Sequence, residues 1–228
     1  MGNDNEKELA GRASARFVND GNIVGLGTGT TAVHAVHAIA DRVKSGLKIL
    51  GIPTSVRTGE LARSLGIPLT TLDEYQEIDV TIDGADEIDP RLCLIKGGGG
   101  ALLREKIIAS ASRKMVVIAD STKLVPVLGK FPLPVEVIGF AQVVVAKKIQ
   151  QMGAKVDLRK DAAGKAYVTD EGHHILDCRF GEIPDPPALG RMLNDIPGVV
   201  EHGLFIGLAS LALVGKGSAV EEVEKAQR

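Results

Sequence analysis

The sequence has no tryptophan, and aromatic residues make up only 3% of its 228 residues. Proteins that bind single-stranded nucleic acid stack bases on aromatic side chains, so this composition argues against that class. The formal net charge is −2 and there is no basic tract, so nothing in the sequence would attract nucleic acid or an anionic membrane. We therefore expect no nucleic-acid partner.

Cysteine and long apolar runs are also scarce. Cys93 and Cys178 are far apart, fit no metal-binding or redox spacing, and are expected to be reduced and buried. Residues 1–7 are polar and lack the apolar core of a signal peptide, and the longest apolar stretch, residues 203–215, is too short to cross a bilayer. These absences predict a cytoplasmic protein with no membrane partner.

Apolar segments alternate with amphipathic ones along the first part of the chain. Strands are predicted at residues 23–26, 48–52, 68–71, 80–82 and 115–119. Helices are predicted at residues 5–19, 32–43, 58–65 and 101–112. This alternation predicts a parallel sheet with crossover helices.

The pattern changes at residues 131–134, where two prolines interrupt regular structure. Strands are then predicted at residues 135–138, 155–159, 175–179 and 199–205, and helices at 141–152 and 187–194, an order of βαββαβ. Residues 209–228 predict one strand and one charged helix that return to the first unit. We therefore predict an α/β fold with a Rossmann-like parallel-sheet domain, residues 1–131 and 206–228, and an inserted ferredoxin-like domain, residues 132–205.

Four consecutive glycines, residues 97–100, lie between Lys96 and a segment of good helix formers. Glycine has no side chain, so the backbone N–H groups here can approach a ligand closely. A helix that starts at bare backbone favours an anion, because its free N–H groups and its macrodipole both attract negative charge. With Lys96 at the entry and Glu105 one to two turns into the helix, the segment predicts chemistry on a phosphorylated small molecule.

An acidic loop, DGADEID at residues 83–89, directly follows a predicted strand and carries four carboxylates. Clustered carboxylates suit a divalent metal ion, although the spacing is not that of an EF-hand. They are equally typical of a solvated surface loop. In a third interpretation, Asp83 and Asp86 point into a cleft at the carboxyl end of the strand, where ligands of open α/β sheets bind.

A hydroxyl-rich loop, GTGTT at residues 27–31, lies between a predicted strand and a predicted helix. With Ala32 it fits the relaxed dinucleotide fingerprint, but such a site also needs a carboxylate at the end of the second strand. Thr54 and Ser55 stand there instead. A single phosphate fits this loop better than a dinucleotide, and a plain strand-to-helix turn is the alternative.

Three further candidates have ordinary explanations. Glu105 could be a helix-surface charge, and Lys123, after another predicted strand, could be a surface lysine or a second cation over the cleft. His34 and His37 have helical spacing that suits a shared metal ion, but no Glu or Cys partner is in view, so we predict no metal site.

Five motifs occur together in one order: GLGTGTTA (25–32), DGADEID (83–89), KGGGGALLREK (96–106), GKFPLPVEV (129–137) and PGVVEHGLF (197–205). Together they resemble type A ribose-5-phosphate isomerase over about residues 5–215. The resemblance implies interconversion of ribose 5-phosphate and ribulose 5-phosphate through a cis-enediolate. It also implies no metal or organic cofactor, and a homodimer or homotetramer.

The resemblance further implies roles for individual residues. Glu105 is the general base, Lys96 stabilises the developing oxyanion, and Asp83 and Asp86 bind sugar hydroxyls, with Asp83 assisting ring opening or proton transfer between oxygens. The other implied substrate-binding residues are Thr28, Gly29, Thr30, Thr31, Gly84, Ala85, Gly97, Gly98, Gly99 and Lys123. We expect Glu105 to be deprotonated near neutral pH unless it is strongly desolvated.

Two other classes stay open at this point. An amino-sugar-phosphate deaminase on a related scaffold would release ammonia, although the glycine run and the acidic loop argue against it. A sugar-phosphate-sensing module would bind without turnover and would not need Glu105, but we recognise no separate DNA-binding segment in the sequence.

Overall fold

The structure of the protein, a computed structural model, describes residues 4–225. The α-helices in this range are α1 (Asp4–Ser14), α2 (Thr30–Lys44), α3 (Val56–Ser64), α4 (Leu102–Ser110), α5 (Gln142–Gln151) and α6 (Pro186–Asn194). The strands are β1 (Ile23–Leu26), β2 (Leu50–Pro53), β3 (Val80–Gly84), β4 (Glu87–Ile88), β5 (Leu94–Ile95), β6 (Met115–Asp120), β7 (Leu133–Val137), β8 (Lys155–Leu158), β9 (His174–Arg179), β10 (Val199–His202), β11 (Leu204–Phe205), β12 (Ala209–Lys216) and β13 (Ala219–Val223).

The largest sheet has the strand order β13-β12-β6-β3-β1-β2, and every neighbouring pair is parallel except β12 and β13. A parallel sheet is buried on both faces, and β6 shows how the two faces are covered. Val116 and Ile118 pack into one core with residues of α1 and α2, whereas Met115 and Val117 pack into another with Ala109 of α4. Side chains alternate along a strand, so one apolar segment supplies both cores. The predicted parallel-sheet architecture is confirmed.

A second sheet has four antiparallel strands in the order β10-β7-β9-β8. Helix α5 lies between β7 and β8 in the chain, and α6 lies between β9 and β10. Val135, Val145 and Leu176 belong to its own apolar cluster. The chain here follows the βαββαβ order of elements that the sequence predicts.

A small third sheet, β11-β5-β4, is not predicted by the sequence. Its β4–β5 hairpin folds the acidic loop back onto the glycine run. The strand predicted at residues 199–205 is split into β10 and β11 at Gly203, whose backbone accepts a hydrogen bond from Lys96 N–H (2.9 Å) and donates one to Pro134 O (2.8 Å). A Cβ on Gly203 would lie 2.3 Å from Lys96 O, so this approach between backbones requires glycine.

The charged helix predicted near the C-terminus is wrong, because β12 and β13 form an antiparallel hairpin instead. Gly217, in the two-residue turn, has a φ of +61°, a conformation that two-residue hairpins favour. Glu221 and Glu222 have a high intrinsic helix propensity, but pairing with β12 overrides it. Residues 226–228, which end the predicted helix, lie outside the described residues.

Most other predicted elements agree with the structure to within a few residues. The exception is the strand predicted at residues 68–71, which is reduced to a single bridge between Leu69 and Gly51. Cys93 and Cys178 are buried and form no disulfide, as predicted. In the part of the chain that the structure describes, no helix combines the length and apolar character needed to cross a bilayer.

Candidate active site

Three loops meet at the carboxyl edge of the six-stranded sheet: residues 27–31 after β1, residues 83–86 at the end of β3, and residues 120–123 at the end of β6. In the strand order, β2 lies next to β1 towards one edge of the sheet. On the other side of β1 lies β3, and β6 follows β3 towards the opposite edge. The strand order therefore reverses between β1 and β3. Ligands of open α/β sheets bind at such a reversal.

These loops and the glycine run line a single cleft at this edge. Its lining residues are Thr28, Gly29, Thr30, Thr31, Gly84, Ala85, Asp86, Lys96, Gly97, Gly98, Gly99, Glu105 and Lys123. All the site residues predicted from the sequence are in this set except Asp83, which is completely buried beneath the cleft. His34 and His37 do not line it.

Asp83 joins the first two loops. Its Oδ1 accepts hydrogen bonds from the N–H groups of Thr28 (3.0 Å) and Gly84 (2.7 Å). Gly27 makes this contact possible, because a Cβ at that position would lie 2.3 Å from Asp83 Oδ1. Burial raises the pKa of Asp83, and the ammonium group of Lys96 opposes that rise.

The ammonium group of Lys96 lies between two carboxylates, and the residue is only 2% exposed. Its Nζ donates to Gly84 O (2.6 Å) and lies 3.0 Å from Asp83 Oδ2 and 3.3 Å from Glu105 Oε1. Burial alone would lower the pKa of Lys96, but the two carboxylates raise it above its ordinary value. Lys96 is therefore a fixed positive charge at neutral pH.

Glu105 lies in the first turn of α4, directly beyond the glycine run, and is 4% exposed. Its Oε2 has no hydrogen-bond partner among residues 4–225. Burial raises the pKa of Glu105 to about 8, against the opposing charge of Lys96 and with a further contribution from Asp83. Desolvation is therefore strong, and this carboxyl group is poised to gain or lose a proton near neutral pH.

Asp86 is brought to the glycine run by the β4–β5 hairpin. Its N–H donates to Ile95 O (2.8 Å), and its Oδ2 accepts a hydrogen bond from Gly98 N–H (2.7 Å). A Cβ on Gly98 would lie 2.6 Å from Asp86 Oδ1, so glycine is required for this approach. Asp86 stays half-buried and faces the cleft.

The other two carboxylates of the acidic loop do not line the cleft. Glu87 accepts hydrogen bonds from the N–H groups of Gly129 (2.7 Å) and Phe131 (2.6 Å), and Asp89 stabilises the turn that follows it. The four carboxylates therefore do not converge on one point. Across residues 4–225, no three His, Cys, Asp or Glu side chains are grouped as a metal site would require.

Thr28 belongs to a buried group of four hydroxyls, which we call the hydroxyl cluster: Thr28, Thr54, Ser55 and Thr58. Thr28 Oγ1 lies 2.7 Å from Thr54 Oγ1, 2.8 Å from Ser55 Oγ and 3.0 Å from Thr58 Oγ1. Thr54 and Thr58 also donate to backbone carbonyls, and Ser55 caps α3. Sequence reasoning missed the cluster as a unit, although Thr54 and Ser55 stand at the end of a strand on the same edge.

The part of the cleft formed by Thr30, Thr31 and Lys123 is suited to an anion. Thr30 and Thr31 begin the 15-residue helix α2, after Gly29 with its φ of +117°. The ammonium group of Lys123 has no hydrogen-bond or ion-pair partner within the described residues. A helix N-terminus and an uncompensated cation that line one cleft favour a phosphate group.

The cleft thus combines a buried carboxyl group, a buried ammonium group and a part that is suited to an anion. A C–H bond next to a carbonyl group is a weak acid, so its proton is removed only where a placed base and a positive charge act together. Glu105 and Lys96, 3.3 Å apart, have the charges that such a pair needs. The arrangement can move a proton between adjacent carbons of a phosphorylated hydroxycarbonyl compound.

Comparison with known proteins agrees with this chemistry. The family model described as ribose 5-phosphate isomerase A (phosphoriboisomerase A) matches residues 50–219. Ribose-5-phosphate isomerase A from Parvibaculum lavamentivorans is 52% identical over 230 residues, which cover 98% of this chain and 100% of that protein.

Solved structures give the same result. Ribose 5-phosphate isomerase A from Methanocaldococcus jannaschii has a TM-score of 0.92 and 40% identity, covering 96% of this chain and 98% of that one. A D-ribose-5-phosphate isomerase in complex with phospho-erythronic acid has a TM-score of 0.95 and 38% identity, covering 98% of this chain and 100% of that one. The chain therefore belongs to the ribose 5-phosphate isomerase A family.

Proposed function

We propose that this chain interconverts D-ribose 5-phosphate and D-ribulose 5-phosphate in the cleft, with Glu105 as the base that moves one proton between C2 and C1. The observation that carries the proposal is the buried pair of Glu105 and Lys96. Their charged atoms are 3.3 Å apart, and Glu105 Oε2 has no hydrogen-bond partner among the described residues. That oxygen is available to accept a carbon-bound proton.

The phosphate group binds at the end of the cleft formed by Thr30, Thr31 and Lys123. The start of α2 offers backbone N–H groups and a favourable dipole there, and Lys123 offers a cation. A related isomerase has been solved with phospho-erythronic acid bound, which supports a sugar phosphate as the ligand class.

The reaction starts when the Glu105 carboxylate removes the proton from C2 of the open-chain aldose. The C–H electron pair forms the C1–C2 double bond, and the carbonyl electrons move to O1, which becomes the oxyanion of a cis-enediolate. The fixed charge of Lys96 stabilises this oxyanion. A positioned base contributes about 10²–10⁴-fold to such a step, and one oxyanion donor about 10²–10³-fold.

Glu105 then returns its proton to C1, and the proton on O2 passes to O1, which leaves a carbonyl group at C2. Atoms and charge balance, because Glu105 ends as the carboxylate with which it began. A raised pKa suits this cycle, since the same group must both accept and release a proton near neutral pH.

In this proposal Asp83 supports Lys96, and Asp86 supports the substrate. Asp83 lies beneath the cleft, and its geometry favours holding Lys96 in place. Its binding of sugar hydroxyls, and its help in ring opening or in proton transfer between oxygens, stay predictions. Asp86 faces the cleft and is placed to accept hydrogen bonds from substrate hydroxyls.

The test is conversion of ribose 5-phosphate by the purified protein in EDTA, with Glu105→Gln and the control Glu60→Gln, which changes an exposed glutamate on α3. We expect wild-type turnover, an unchanged control, and a loss of about 10²–10⁴-fold or more in Glu105→Gln. In deuterated water, the wild type should place solvent deuterium on the reacting carbon of the product.

The other outcomes separate the alternatives. Binding of ribose 5-phosphate without turnover would indicate a sensing module, and ammonia release from an amino-sugar phosphate would indicate a deaminase. Turnover that survives Glu105→Gln would keep the reaction and move the base, with Asp83 and Asp86 as the next candidates.

Two structural features complete the proposal. We assign residues 1–131 and 206–228 to a catalytic domain and residues 132–205 to an inserted domain, because the two large sheets have largely separate apolar clusters. Residues 1–3 and 226–228 lie outside the described part.

We expect a homodimer or homotetramer, since Phe140, Val143 and Val144 expose apolar surface. Light scattering would measure the oligomeric state.

A further inference from the structure

The glycine run is held from outside by a residue of the four-stranded sheet. Arg159, directly after β8, donates from Nη1 to the carbonyl oxygens of Gly97 (2.7 Å) and Gly98 (3.3 Å). The same guanidinium group pairs with Asp177 of β9, with Nε 3.0 Å from Oδ2 and Nη2 bonded to Oδ1. Both side chains are largely buried.

These contacts fix the direction of two peptide groups. In a planar trans peptide, the C=O and N–H bonds point in opposite directions. Because Gly97 O points to Arg159, the N–H of Gly98 points the other way, where it meets Asp86 Oδ2 at 2.7 Å. In the next peptide, Gly98 O points to Arg159 (3.3 Å), so the N–H of Gly99 points away from Arg159.

The N–H group of Gly99 has no hydrogen-bond partner among the described residues, and Gly99 lines the cleft. Four successive glycines have no side chains to restrict their backbone, and the turn hydrogen bond from Gly100 N–H to Gly97 O (3.0 Å) still allows the peptide between Gly98 and Gly99 more than one orientation. The tether to Arg159 selects the one in which Asp86 is bound and a backbone donor is left for a ligand oxygen.

We propose that Arg159, anchored by Asp177, is a positioning residue that orients the glycine run so that Gly99 N–H and Asp86 bind an oxygen-rich part of the sugar phosphate. This inference rests on the proposed function for its substrate. Glu105 and Lys96 are held by other contacts, to α4, Asp83 and Gly84, so Arg159 acts on binding rather than on the proton transfer.

The test compares steady-state kinetics of Arg159→Ala and Arg159→Lys with wild type. A contact made equally in the ground state and the transition state changes KM and leaves kcat alone. We expect KM to rise about tenfold in both variants, with kcat within about twofold, because lysine cannot bridge a carboxylate and two carbonyls as the guanidinium fork does. The pH at which kcat/KM rises should be the same in these variants as in wild type.

Arg179→Ala is the matched control. Arg179 is an exposed arginine on β9, 3.9 Å from Asp157 in an exposed pair that does not involve the glycine run. Millimolar guanidinium chloride should lower the KM of Arg159→Ala towards the wild-type value, whereas sodium chloride should not. Asp177→Asn alone should raise KM. Combined with Arg159→Ala, it should cause no further rise in KM.

Binding of phospho-erythronic acid, measured by calorimetry, provides a readout that does not need turnover. Affinity should fall about tenfold in Arg159→Ala, equal to about 1.4 kcal/mol, and stay unchanged in Arg179→Ala. If the Arg159 variants match Arg179→Ala in KM and affinity, or lose kcat alone, the inference is wrong. Absence of wild-type turnover would overturn the proposed function instead, and the calorimetric comparison would still decide the role of Arg159.

Discussion

Lys96 Nζ lies 3.3 Å from Glu105 Oε1, and yet the pKa of Glu105 is raised to about 8. A lysine at this distance would ordinarily lower the pKa of a carboxyl group. Here both groups are buried, and Lys96 is shared with Asp83 and with the carbonyl oxygen of Gly84. The attraction therefore does not compensate for the loss of water around Glu105, and its carboxyl group can gain or lose a proton near neutral pH.

The pH dependence of kcat/KM should follow this carboxyl group. Glu105 must be ionised to accept a proton, so we expect kcat/KM to rise about tenfold per pH unit below its pKa of about 8 and to level off above it. Initial rates between pH 6.5 and 9 measure this. A flat profile over that range would show that Glu105 is not the titrating base.

Lys96→Gln should change both kcat and the pH profile of kcat/KM. Loss of the oxyanion donor should lower kcat by about 10²–10³-fold. The ammonium group lowers the pKa of Glu105, so its removal should also move the rising limb to higher pH. A lower rate with an unmoved limb would contradict the electrostatic coupling between the two residues.

Glu105→Gln should make the protein more stable at neutral pH. The unfolded side chain ionises near 4.5, but the folded one keeps its proton until about pH 8. Between these values the folded state binds the extra proton, so the free energy of unfolding of the wild type falls as pH rises. Glutamine does not titrate and escapes this loss.

The measurement is urea unfolding of Glu105→Gln and wild type at pH 5 and pH 7. The stability advantage of the variant should grow by about 1 kcal/mol per pH unit over this interval. Glu60→Gln, on the exposed surface of α3, should show no such trend. An advantage that shrinks as pH rises would mean that burial does not raise the pKa of Glu105.

Thr28→Val should destabilise the fold through the hydroxyl cluster. Valine has nearly the shape of threonine but leaves Thr54, Ser55 and Thr58 without their shared partner. Loss of hydrogen bonds at a buried polar group costs about 1–3 kcal/mol. Thr28→Ser keeps the hydroxyl and is the matched control in urea unfolding. Equal stability of the two variants would show that the cluster contributes little.

The positions of most cleft residues could be predicted because local chemistry marks them. Glycine runs and acidic residues directly after apolar segments indicate strand ends, and parallel strands bring those ends to one edge. Lys96, Glu105 and Asp86 accordingly lie in one cleft. The complete burial of Asp83 was not visible in the sequence, because it depends on Gly27 and on how closely two strands pack.

Contacts between distant segments could not be predicted. Arg159 is 62 residues from Gly97, and its neighbours in the sequence carry no motif. The C-terminal hairpin was mistaken for a helix because Glu221 and Glu222 favour helix locally, whereas the adjacent strand decides the outcome. Local composition thus identified residues that line the cleft, and tertiary pairing determined how they are held.

Lys123→Ala should weaken substrate binding with little effect on the chemical step. The Lys123 side chain lines the cleft and is half-buried, without an ion-pair partner among residues 4–225. If it binds the phosphate group, its loss removes an interaction common to substrate and transition state, so KM should rise about tenfold while kcat changes little. Inhibition by inorganic phosphate should weaken in parallel.

The matched control is Lys130→Ala, which removes an exposed lysine outside the cleft and should leave KM and phosphate inhibition unchanged. Added salt should narrow the difference between wild type and Lys123→Ala, because it screens the partly exposed charge. A KM equal to that of Lys130→Ala would place the phosphate on Thr30, Thr31 and the start of α2 alone.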